Sequence, residues 1–71
     1  MTMLIKEHKE NGYYIAIEYE KTNIYKVSVY PCHSDGLCGY PIKETIYPLT
    51  EKKKAMNTYY RYIRKYCKGL D

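Results

Sequence analysis

The sequence predicts a small α+β domain: a small antiparallel sheet of three strands, or four if the N-terminal segment joins it, covered on one face by a single C-terminal amphipathic helix. Three observations carry this reading. Apolar residues alternate with a period of two through Tyr13–Glu20 and again through Ile24–Tyr30. Asn11-Gly12 stands just before the first of these runs, and this dipeptide tolerates the positive φ that both central positions of a type I′ hairpin turn require. From Glu51 onward the apolar period becomes helical. With 71 residues the chain is one domain spanning 1–71, near the lower size limit for a self-sufficient core. Support from a dimer, a partner or a crosslink is therefore expected.

Each element has its own signal. Met3–Lys9 is a short, poorly patterned first strand whose membership of the sheet is left open. In the second, Tyr13, Ile15, Ile17 and Tyr19 alternate with Tyr14, Ala16, Glu18 and Glu20. Glu20-Lys21-Thr22-Asn23 reads as a turn. The third strand, Ile24–Tyr30, places Tyr25, Val27 and Val29 on one face and is stopped by Pro31. Cys32–Pro41, with Ser34-Asp35-Gly36 and Gly39, is a loop with a tight turn. Ile42–Tyr47 is the last strand, ended by Pro48. Thr50 is a candidate N-cap with Glu51 in the first helical turn, although Lys53 occupies the place of the usual capping-box acid. At 100° per residue, Ala55, Met56, Tyr59, Ile63, Tyr66, Cys67 and Leu70 share one arc, and Gly69 provides a stop.

There is no Phe and no Trp, while Tyr appears eleven times. Tyrosine must fill the large core positions, each ring buried and each hydroxyl brought to a partner or to the edge, which favours a shallow two-layer structure. The abundance of Lys, Tyr and Ile also suits an A+T-rich genome. Met1–Ile5 is followed at once by Lys6, Glu7, His8, Lys9 and Glu10, which does not read as a signal peptide, and no apolar run approaches membrane-spanning length. A cytoplasmic location with reduced cysteines is the expectation.

Charge is distributed steeply. Glu51–Asp71 holds seven cations (Lys52, Lys53, Lys54, Arg61, Arg64, Lys65 and Lys68) against two acids, whereas residues 1–50 hold five lysines against six acids. Lys53, Lys54, Arg61, Arg64, Lys65 and Lys68 fall opposite the apolar arc and form the candidate nucleic-acid-binding set. Opposite charges are nearly absent from that face, so intrahelical Glu–Lys pairing does not account for it. Tyr60 and Tyr62 flank the arc beside the arginines, where aromatics can stack on bases or on a protein. A solvated helix exterior is the competing account of the same pattern.

Metal and catalytic chemistry find little support. Cys32, His33, Cys38 and Cys67 are the residues that could make a zinc site, but five residues separate Cys32 from Cys38, wider than the usual ligand pairs, and adjacent Cys32 and His33 do not readily face one ion. Free thiols are the expected state, a Cys32–Cys38 disulfide requires an oxidant, and Cys67 reads as a small buried hydrophobe. No nucleophile has an evident base, no Gly-rich phosphate loop is present, and no carboxylate pair sits in an apolar setting. No catalytic residue, metal or cofactor is assigned, and the chain reads as a non-enzyme.

Read as three strands and a helix opened by Thr50-Glu51-Lys52-Lys53-Lys54-Ala55, the stretch from Gly12 to Cys67 resembles in architecture the small arm-site-binding domains of phage and transposon integrases. The resemblance implies a stand-alone DNA-binding module whose sheet enters the major groove. Here the predicted exposed sheet face carries Tyr14, Glu18 and Glu20 beside Lys26, Ser28, Tyr30, Lys43 and Thr45, a mixture ill suited to phosphate, which moves the nucleic-acid reading to the helix. The first expectation is thus a binding module from a phage or mobile element of an A+T-rich bacterium, engaging nucleic acid or a nucleic-acid-handling protein, with no membrane partner. The alternative is a protein-interaction module, such as a host-enzyme or anti-defence inhibitor or a homodimer, using a tyrosine-rich sheet face with Tyr14, Tyr30 and Tyr47.

Overall fold

The computed structural model describes residues 2–21, 23–33 and 36–70. It has four antiparallel strands in the order β1-β2-β3-β4 and one C-terminal helix. The strands are β1 (Met3–Glu10), β2 (Tyr13–Glu20), β3 (Ile24–Pro31) and β4 (Lys43–Pro48). The segment whose status the sequence left open is therefore a full edge strand. Asn11 and Gly12 close the first hairpin at φ 57° and 87°, as the type I′ turn demands. Asn23 takes φ 62° in the second turn, where its Oδ1 accepts from the Tyr19 hydroxyl at 3.0 Å. Thr22, Ser34 and Asp35 of the expected turns lie outside the described residues.

The helix begins differently from its sequence signal. A short 3-10 turn, Leu49–Glu51, precedes α1 (Lys52–Tyr62), so Glu51 rather than Thr50 stands at the N-cap, and no side chain caps the helix. The next five residues, Ile63–Cys67, form a π-helical turn closed by Lys68 N–H donating to the Ile63 carbonyl at 3.1 Å. Gly69 at φ 67° then ends the helix, with Leu70 N–H donating to Arg64 O at 2.7 Å.

One face of the sheet packs on the helix. Ile15, Ile17, Val27 and Val29 are fully buried and meet Ala55, Tyr59, Tyr62, Ile63 and Cys67, with Tyr13, Tyr19, Tyr47, Met56 and Tyr66 at the margin. The helical arc is wider than the sequence suggested. Thr58 and Tyr62 are buried as well, while Leu70 is exposed. Thr58 and Tyr62 lie in α1 ahead of the π turn and flank Ala55 and Tyr59 on its inner face, while Leu70 follows Gly69, where the helix has already ended. Helix and β4 exchange hydroxyls reciprocally: Tyr62 bonds Thr45 at 2.6 Å and Tyr47 bonds Thr58. Buried tyrosines thus satisfy their hydroxyls within the layer interface.

β4 is paired one residue out of phase with the sequence expectation. Val27 faces Thr45 and Val29 faces Lys43, so Thr45, Tyr47 and Lys43 lie on the helix side, whereas Glu44 and Ile46 lie on the open side. A one-residue change of register exchanges the faces of a strand.

The cysteine expectation is also corrected. Cys32 and Cys38 oppose each other across the loop in an isolated antiparallel bridge and form a disulfide. Flanking backbone bonds, Gly39 N–H to Pro31 O at 2.8 Å and His33 N–H to Leu37 O at 2.7 Å, bring the two residues together where the sequence alone showed only a loop. Cys67 is the free thiol among the described residues, buried against Tyr13, and burial pushes its thiol pKa up. No described helix is long and apolar enough to cross a membrane.

Candidate nucleic-acid interface

The outward face of α1 and the π turn is built by elimination. Once Ala55, Thr58, Tyr59, Tyr62, Ile63 and Cys67 are turned to the sheet, the remaining positions project away from it, and Lys53, Lys54, Arg61, Arg64, Lys65 and Lys68 are all exposed. From Lys53 to Lys68 the row runs roughly 22 Å at 1.5 Å per residue. All six predicted residues therefore lie on one accessible surface.

Their surroundings differ. Lys54 pairs with Glu51 at 3.2 Å, one turn away, and Lys68 pairs with Glu10 of β1 at 3.2 Å. The Lys65 ammonium lies 5.6 Å from the Tyr66 ring centroid. Lys53, Arg61 and Arg64 make no ion pair with any described residue. Glu10 is held below the usual carboxylate range, first by its 2.7 Å contact with His8 and then by Lys68. Such exposed pairs are weak and screened by salt, so Lys54 and Lys68 stay available to an anion of higher charge density.

Register places further cations beside the helix. A bulge between Leu4 and Lys6 in β1 opposes Lys6 to the core residue Ile17, turning it to the helix side, where its ammonium reaches the Tyr60 hydroxyl at 2.9 Å. On the other edge strand Lys43 opposes Val29 and lies on the same side. Of the twelve cations, all but Lys9, Lys21 and Lys26 sit on the helical segment or at helix-side strand positions. The carboxylates described there are Glu10 and Glu51, each with a lysine partner. The opposite face carries Glu7, Glu18, Glu20 and Glu44 against Lys9 and Lys26. Charge is thus segregated by layer. Sequence reasoning missed Lys6 and Lys43 because their facing depends on a bulge and on strand register, which composition does not encode.

The aromatic part of the expected site changes. Tyr62 is 6% exposed and hydrogen-bonded to Thr45, so it is unavailable for stacking on a ligand. Tyr60 is exposed, but its ring packs edge-on against Tyr59 and its hydroxyl is engaged by Lys6.

On the open sheet face, Tyr14 and Tyr30 stand side by side with ring centroids 5.7 Å apart, as expected, but Tyr47 faces the helix and does not belong to that surface. The two rings border a shallow groove of about 380 Å³ with Lys9, Ala16, Glu18, Cys38 and Gly39. Comparison with known protein families, with characterised proteins and with solved structures gives no match for this chain.

Proposed function

We propose that the chain is a non-enzymatic nucleic-acid-binding module whose helix exterior contacts the phosphate backbone. The observation that carries this reading is the segregation of charge: cations converge on the helix side from α1, the π turn and both edge strands, while the carboxylates described on that side, Glu10 and Glu51, are paired. A helix exterior shaped only by solvation would be expected to interleave its own acids and bases. Here Lys53, Arg61 and Arg64 make no ion pair with a described residue. Phosphate neutralisation by such a row releases counterions and needs no base recognition.

Anisotropy of labelled DNA and RNA oligonucleotides over a salt series tests the reading. Affinity is expected to fall linearly on logarithmic axes as salt rises, with a slope set by the phosphates neutralised. Arg61→Glu with Arg64→Glu is expected to abolish binding with the far-ultraviolet dichroism unchanged, because both side chains point away from the core. Absence of affinity in the wild type at low salt would remove the reading. The groove beside Tyr14 and Tyr30 would then favour the protein-interaction alternative.

A further inference from the structure

Resting on the reading above, we propose that the ligand is B-form duplex DNA, that α1 lies in its major groove, and that Asn57 is the residue aimed at base edges. The argument begins with the angular order of the helix exterior. Taking Asn57 as the centre, at about 100° per residue Lys53 lies about 40° to one side and Tyr60 about 60°, while Arg61 lies about 40° and Lys54 about 60° to the other. Asn57 is thus the midpoint of the outward face, exposed, and its amide makes no hydrogen bond with any described residue. Cations flank it on both sides, with Lys6 and Lys43 further out on the edge strands.

This order matches what a groove presents. A helix with its side chains is about 10–12 Å across and fits a B-DNA major groove about 12 Å wide. Phosphates then line both walls, where the flanking lysines and arginines reach, and base edges line the floor, where the central side chain points. An Asn amide offers the donor and acceptor that pair with adenine N7 and N6. The helix stands on one face of a sheet four strands wide, and Lys6 and Lys43 on the two edge strands lie on that same face, toward the two phosphate rows.

The aromatic inventory argues against a single strand. Sequence-tolerant binding of unpaired nucleotides relies on exposed rings for stacking. On the helix side Tyr59 and Tyr62 are buried, Tyr66 packs on Tyr13, and Tyr60 is held by Tyr59 and Lys6. A-form RNA is disfavoured for another reason, because its major groove is too narrow for side chains to read.

The test uses the full chain and three probes of equal length: a DNA duplex, an RNA duplex of the same sequence and a DNA single strand. Selection from a DNA duplex pool with a randomised centre supplies the preferred site. The DNA duplex is expected to bind at least about tenfold tighter than the other two probes. Replacing the selected adenine by 7-deaza-adenine is expected to cost about 5- to 100-fold, and Asn57→Ala to flatten the preference at that position while leaving the salt slope unchanged. Asn57→Ala retains the fold, since alanine raises helix propensity at an exposed site. Equal binding of all three probes, or a base preference untouched in Asn57→Ala, overturns the inference and leaves the phosphate-binding reading standing. Failure of the wild type to bind any probe at low salt removes both.

Discussion

Tyr14 donates its hydroxyl to Glu7 Oε2 at 2.9 Å from the open sheet face, with its ring tilted against Tyr30. Burial, reinforced by that hydrogen bond and by the charges of Glu7 and Glu18, raises its pKa from 10 to about 12. The raised value means that the fold favours the neutral phenol. The contribution is whole below pH 10, where the unfolded tyrosine is also protonated, and is lost as pH climbs toward about 12. Ring carbon resonances followed through an alkaline titration should show Tyr14 ionising well above the ordinary tyrosine value of 10. Glu7→Gln should bring the midpoint part of the way back toward 10, but not fully, because burial is the largest cause. A Tyr14 midpoint at 10 would show that the burying environment does not exist. Ala16 and Ser28 are buried at the middle of the open face, where Lys26 bridges to Glu20 and to Glu44.

The helix and its seat on the sheet carry the stability of the domain, because the apolar contacts between the layers pass through a few side chains. Ile63 is 8% exposed at the first residue of the π turn and packs in the cluster with Ile15, Val27 and Val29. Ile63→Ala is expected to cost about 2–5 kcal/mol, as buried truncations of this size do, a large share of the stability available to so small a domain. Chemical denaturation reads the loss, and an unchanged midpoint would mean that the residue is not packed. At this scale the sequence was most legible where one signal dominates. Asn11-Gly12 identified a hairpin whose backbone angles need those residues, and alternation in β2 and β3 named the core face correctly. It was least legible where a face depends on pairing. Glu44 and Ile46 take the open face, and Lys43, Thr45 and Tyr47 the helix face, only because β4 aligns Thr45 with Val27. Nor did the expected apolar arc include Thr58 and Tyr62, which α1 buries, or exclude Leu70, which follows the end of the helix and is exposed. The basic row was readable from spacing alone, whereas Lys6 joined it through a bulge.

At the scale of the whole molecule the two layers carry opposite character, a cationic helix side and an open face with more carboxylates than lysines, although the chain as a whole has a formal charge of only +4. Net charge and local field therefore make different predictions. If attraction to polyanions followed net charge, any two charge reversals would weaken it equally; if it follows the patch, location decides. Two double variants separate these cases at the same formal charge. Arg61→Glu with Arg64→Glu alters the centre of the helix side, and Lys9→Glu with Lys21→Glu alters exposed lysines that lie off it. Neither pair touches a core residue or a described ion pair, so both proteins should fold. The helix pair is expected to lose at least about tenfold in duplex affinity at moderate salt and to show a shallower salt slope, because phosphate contacts are removed and repulsion is added. The other pair should stay within about threefold of the wild type, since Lys9 projects from the open face and Lys21 lies in the turn after β2, both off the helix side. Equal losses in the two proteins would show that a diffuse net charge, and not the helix exterior, holds the polyanion.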